Sequence, residues 1–100
     1  MWVVYVVRCA DDTLYCGITN DLAARLAAHQ AGKGAKYTRG RGPLQLVATQ
    51  RTRDKRIALR IEHAVKQLRR PDKLALGPVQ LRKLAEIARR RLRADRAAAA

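Results

Sequence analysis

Tyr5 and Tyr15 stand on either side of a short polar turn, and Arg25, His29 and Glu62 follow at spacings that let all five converge. Tyrosine and histidine can carry protons, arginine grips phosphate oxygens with a permanently charged fork, and a carboxylate can hold a divalent cation. Phosphodiester hydrolysis needs those parts: an activated water, neutralisation of charge growing on the phosphoryl oxygens, and help for the leaving oxygen.

The elements that must position these residues are readable in order. Trp2 to Arg8 is an apolar, β-branched and aromatic run that favours a buried strand, and Leu14 to Thr19 reads the same way. Between them Ala10-Asp11-Asp12-Thr13 is a turn, because Asp side chains bond nearby backbone and tolerate turn geometry. The pair forms an antiparallel hairpin that puts Tyr5 and Tyr15 on neighbouring strands. Gly17, inside the second strand, leaves room for another group to approach closely.

A helix follows, with Thr19, Asn20 or Asp21 as N-cap and Gly32 just past its end. Leu22 and Leu26 mark its apolar side, while Arg25 and His29, also four apart, form a second stripe. Leu44 to Gln50 reads as a third strand. A second helix starts near Thr52 or Asp54, buries Ile57, Ile61, Ala64, Val65 and Leu68, and stops before Pro71. Glu62 lies on the flank of that stripe, where a carboxylate needs a partner: a metal ion, an arginine, or Lys66 one turn on. Gly77-Pro78 opens a last helix with Leu81, Leu84, Ile87, Ala88 and Leu92 as its apolar side, and its final residues are expected to fray.

Charge points to the partner. Twenty-two Lys and Arg against eight Asp and Glu give a formal charge of +14, an excess that fits a polyanion, nucleic acid being the commonest. Residues 81–100 alone hold seven Arg or Lys against two acids, a DNA-backbone contact or a solubilising face. From Gly32 to Pro43 a glycine-rich basic loop carries Lys33, Lys36, Tyr37, Arg39 and Arg41, a composition suited to a phosphate backbone or to a solvated connector. It is no Walker loop, since the Gly-Lys-Ser/Thr ending is missing. With one Trp, three Tyr and no Phe, the aromatic platform of a single-stranded RNA binder is poorly supported.

One hundred residues suit one domain: 1–76 holding the candidate site and 77–100 a basic helix and tail within the same unit. No stretch reaches the ~18–20 apolar residues of a membrane span, and the first apolar run is too short and too β-branched for a signal peptide, so the cytoplasm is the expected place. Cys9 and Cys16, near the two ends of the hairpin turn, read as buried small apolar groups, with a disulfide between them as the lesser alternative, two thiols being too few for a structural zinc site.

Val3-Val4-Tyr5, then Tyr15-Cys16-Gly17, then Arg25, His29 and Glu62, resemble the GIY-YIG nuclease superfamily. Its small single-domain bacterial members are matched further by Leu14 to Leu22 and by Gly32 to Thr38, over about residues 2–75. The resemblance implies an α+β fold, a three-stranded antiparallel sheet flanked by helices in the order ββαβαα. It implies that Tyr5 and Tyr15 are the motif tyrosines, Gly17 the motif glycine lying against DNA, Arg25 the contact to the scissile phosphate, and Glu62 the ligand of one Mg²⁺ or Mn²⁺ ion, with His29 and Tyr37 accessory. The implied activity is metal-dependent DNA cleavage, structure-selective or weakly sequence-specific, on branched or damaged DNA in repair or recombination. Two departures stand out: Val3 replaces the first motif's glycine and Cys16 the second motif's isoleucine. Neither removes a reactive group. A relative of the same fold that binds DNA or RNA without cutting is the alternative.

Overall fold

A computed structural model describes residues 1–31 and 43–99. The chain runs β1 (Trp2–Arg8), β2 (Leu14–Thr19), α1 (Leu22–Gln30), β3 (Gln45–Thr52), α2 (Lys55–Lys66), α3 (Arg70–Leu74) and α4 (Pro78–Ala99). The expected order ββαβαα is present, with the five-residue α3 inserted between the last two helices. The strands form an antiparallel sheet in the order β2-β1-β3, so the most apolar strand is central and β2 and β3 are edges.

The hairpin closes as its aspartates dictate. Asp11 Oδ1 accepts from the backbone N–H and the hydroxyl of Thr13, at 3.2 and 2.6 Å. Asp12 takes a positive φ of 64°, which a short polar side chain tolerates. The resulting register sets Tyr5 opposite Gly17 and Val6 opposite Cys16. On the other side of β1 a register shift at Val6/Val7 leaves Val47 as an extra residue of β3, a bulge. β3 extends past Gln50 to Thr52 because Arg51 and Thr52 pair with Val3 and Trp2.

The pleat divides the sheet into two faces. Val4, Val6, Cys16 and Ala48 belong to the core, which α2 covers with Ile57, Ala58, Ile61 and Val65 and α4 with Leu81, Ala85, Ala88 and Leu92. Ile87, expected on the buried side of α4, is 43 % exposed, and Ala85 takes its place: the stripe follows 81, 85, 88 and 92, and position 87 lies off it. Asp54 Oδ1 caps α2 by accepting from the Arg56 N–H at 2.8 Å. α2 ends at Lys66, and Pro71 sits in the first turn of α3, where its missing N–H costs nothing. α4 is helical through Ala99, longer than the expected fraying allowed, in a segment whose alanines and arginines are strong helix formers.

Candidate active site

The second face of the sheet carries Tyr5, Tyr15 and Gly17, and there the helix α1 brings its polar stripe down. Of the three residues offered as its N-cap, Asp21 serves, accepting from the Ala24 N–H at 3.1 Å. The helix ends on Ala31 at a helical φ of −79°. Its one buried residue is His29; Leu22 and Leu26 are only half-buried. The stripe of Arg25 and His29 thus points at the sheet, because its partners there are two tyrosine rings.

Four of the expected residues touch. The Tyr5 hydroxyl lies 2.9 Å from His29 Nε2, and Arg25 Nε donates to the same oxygen at 3.3 Å. The rings of Tyr5, Tyr15 and His29 form a triangle with centroid separations of 6.2, 5.7 and 5.5 Å, tilted or edge-on as ring quadrupoles prefer. Gly17 explains how Tyr5 fits: a Cβ there would sit 2.5 Å from the Tyr5 oxygen and 2.7 Å from Cζ. The glycine makes room for a side chain of the protein itself.

Electrostatics follow from this packing. Burial raises the Tyr5 phenol above its ordinary pKa, partly countered by the Arg25 hydrogen bond, so Tyr5 keeps its proton near neutral pH. The same bond to Tyr5 holds the Arg25 guanidinium more firmly charged. Burial and then the Arg25 charge lower His29, leaving a neutral imidazole. With Arg25 donating into the Tyr5 oxygen, a neutral Nε2 can accept the phenolic proton. Tyr5 is fully buried, whereas Tyr15 and Arg25 are half-buried and reach the surface.

Glu62 stands elsewhere, on α2 and so on the core side of the sheet. It is beside Cys16, whose thiol is pushed up to about 12 by burial first and the Glu62 charge second. Since Tyr15 precedes Cys16, the polar cluster and the carboxylate flank the same edge strand on its two faces. The Glu62 side chain is 20 % exposed and lies 3.7 Å from Lys66 Nζ, so the i,i+4 pairing open to it in the sequence is formed, but by a half-buried acid. Among the described residues no group of three or more His, Cys, Asp or Glu could hold a metal ion. The donor set is one carboxylate, a hard oxygen ligand at longer than hydrogen-bond distance from its lysine. It fits an ion such as Mg²⁺, which keeps waters and substrate phosphates as most of its ligands.

The basic-loop residues Lys33, Lys36, Tyr37, Arg39 and Arg41 lie outside the described residues. Cys9 and Cys16 are both free and buried. Among the described residues no helix is long and apolar enough to cross a membrane. An arginine-lined groove between the end of β3 and α4 escaped the sequence, because its members come from segments some forty residues apart and charge alone does not say which segments pack together.

Comparison with known proteins gives the family of the chain. A UPF0213 protein of Vibrio cholerae serotype O1 is 51 % identical over 76 residues, 75 % of each chain. A UPF0213 protein of Natronomonas pharaonis is 53 % identical over 70 residues, 70 % of this chain and 82 % of that one. The solution NMR structure of a UPF0213 protein from Bacillus halodurans is 45 % identical, superposes with a TM-score of 0.51, and covers 81 % of this chain and 93 % of that one. Residues 1–75, which contain every member of the hydrogen-bonded cluster and Glu62, match the family described as the GIY-YIG catalytic domain, and the chain belongs to the GIY-YIG family.

Proposed function

We propose that the protein is a divalent-metal-dependent endonuclease that hydrolyses DNA phosphodiester bonds. A catalytic-domain match of this kind carries nuclease-type chemistry, and the observation that supports it in this chain is the tyrosine oxygen bonded to both a neutral histidine and a fixed cation. The half-exposed Arg25 and Tyr15 meet the scissile phosphate, Arg25 spreading its charge over the phosphoryl oxygens.

Tyr5 acts as general base with His29 behind it. A standing phenolate is disfavoured by the burial that raises Tyr5, so the proton moves by relay: as the phenol oxygen takes a proton from the attacking water, its own proton passes to His29 Nε2. Tyr5 stays neutral throughout. Its oxygen has no exposed surface, so water reaches it when Arg25 turns from Tyr5 to the phosphate, and substrate binding uncovers the base. Glu62 would hold one Mg²⁺ or Mn²⁺ ion, whose contribution is Lewis-acid stabilisation of the phosphoryl charge. The proposed substrate is structured or weakly discriminated DNA of the sort met in repair or recombination.

The test is plasmid nicking with and without Mg²⁺ or Mn²⁺, running Glu62→Ala and a branched DNA substrate beside the wild type. Metal-dependent nicking that disappears in Glu62→Ala is expected. Nicking at an equal rate in both proteins would remove the metal role, and salt-sensitive binding without cleavage would leave a binding module in place of an enzyme.

A further inference from the structure

α4 lies beyond residues 1–75 of the family match, yet it packs on β3 and α2 and encloses a second charged surface with them. A groove of about 550 Å³ is lined by Arg51, Arg53, Arg89, Arg93 and Arg96, with Asp54 the only acid among the described residues that line it. Ile57 and Leu92 also line it. Two of the arginines are anchored. Arg89 Nη2 donates to the Arg51 carbonyl at 3.2 Å, covering an outward group of an edge strand, and Arg96 pairs with Asp54 at 3.5 Å. Asp54 is shared with Arg56 at 3.2 Å, so the one acid is already engaged. Arg53 and Arg93 have no ion-pair partner among the described residues.

We infer that this groove is a second contact for the phosphate backbone of duplex nucleic acid, separate from the catalytic cluster and supplied largely by α4. Arg53, Arg89, Arg93 and Arg96 line the groove with one acid among the described residues, while Arg51 contributes its backbone carbonyl; the like charges repel one another in the free protein, and a polyanion relieves that repulsion. Arginine forks match phosphate oxygens bidentately. Arg89, Arg93 and Arg96 are four and three apart on one helical face and span about 10 Å of helix axis, about three phosphate steps of one DNA strand. The groove also adjoins the proposed cleavage face. Arg51 pairs with Val3, two residues before Tyr5, so by register it sits one strand across on the face that carries Tyr5. A duplex lying on the cluster can continue over Arg51 and round the β3 edge to α4.

That the polyanion is nucleic acid rests on the proposed nuclease reading; that the groove takes a polyanion rests on its own charge and geometry. The test uses the full chain with Arg53→Gln and Arg93→Gln combined, two positions that hold no ion pair to α2 or β3. Fluorescence anisotropy of a labelled 20-base-pair DNA duplex is followed in EDTA over a salt series, with an unchanged thermal melt as the check on folding. The double variant is expected to bind about tenfold more weakly at low salt, with a log–log salt slope shallower by about 2, near 0.9 for each phosphate no longer neutralised. Equal affinity and slope in the two proteins would overturn the inference. So would a variant that loses binding to polyglutamate or to phosphatidylserine vesicles while keeping its affinity for DNA. Cleavage is scored separately: a chain that binds through this groove and cuts nothing would sustain the inference while sinking the nuclease.

Discussion

The phenol of Tyr5 lies so closely over Gly17, its cross-strand partner, that a Cβ at position 17 would come within 2.5 Å of the tyrosine oxygen. The glycine is therefore part of how the proposed general base is seated, since a Cβ there would force the ring away from the position in which it meets Arg25 and His29. Gly17→Ala is expected to displace the ring, at a cost of about 1–3 kcal/mol from overpacking, and to reduce nicking along with it. Thermal melting beside the nicking assay checks this; a variant as stable and as active as wild type would mean that the ring has somewhere else to go.

Tyr5→Phe keeps the ring and removes the oxygen on which His29 and Arg25 meet. Cleavage should fall by at least ~10²-fold, the usual value of lost acid–base help. Stability should fall by about 1–3 kcal/mol, because the buried imidazole nitrogen loses its partner. Single-turnover nicking and denaturant unfolding separate the two effects.

His29 is held below its ordinary pKa, so the folded chain binds its proton later than the unfolded chain does as pH falls. Stability from this group is therefore complete above about pH 6.5, the unfolded value, and is lost as pH drops from there through the lowered folded value. Cleavage that depends on neutral His29 should persist below pH 6.5 and fail on the same acid limb. An NMR titration of the imidazole beside a pH–rate profile tests it, and an imidazole that protonates above pH 6.5 would contradict the prediction.

Glu62 and Lys66 make a testable pair. Removing the lysine with Lys66→Ala frees the carboxylate and should tighten Mn²⁺ binding up to about fivefold, the most that a partly exposed pair of this kind is worth. Glu62→Ala should abolish the binding. Manganese titration by calorimetry in the presence of a DNA oligonucleotide measures both.

The Cys16 thiol, pushed up to about 12, should stay un-ionised and unreactive in the folded protein. Iodoacetamide at pH 8 followed by mass mapping should label Cys16 only after denaturation. Labelling in the native state would show that the Glu62 side of the edge strand is open.

Local pattern alone specifies every element except the five-residue α3, and it places the candidate site residues outside the basic loop on those elements. An apolar β-branched run, an Asp-Asp turn and a second strand define the hairpin, and the Tyr5 and Tyr15 positions fall on one face of it because side chains alternate along a strand. The i,i+4 spacing of Arg25 and His29 makes them a stripe whatever faces them. Packing between elements settles what remains. Helical period leaves the direction of a weakly amphipathic helix open, and two tyrosine rings draw the polar stripe of α1 inward and leave Leu22 and Leu26 half-exposed. The same holds for Glu62: its flank position is legible in the chain, but its place across the edge strand from the tyrosines follows from α2 packing on the opposite face of the sheet. The arginine groove is the clearest case. Periodicity describes one element at a time, and only packing brings Arg51 and Arg53 at the end of β3 beside Arg89, Arg93 and Arg96, because shared burial of apolar side chains such as Ile57 and Leu92 lays α4 against that edge.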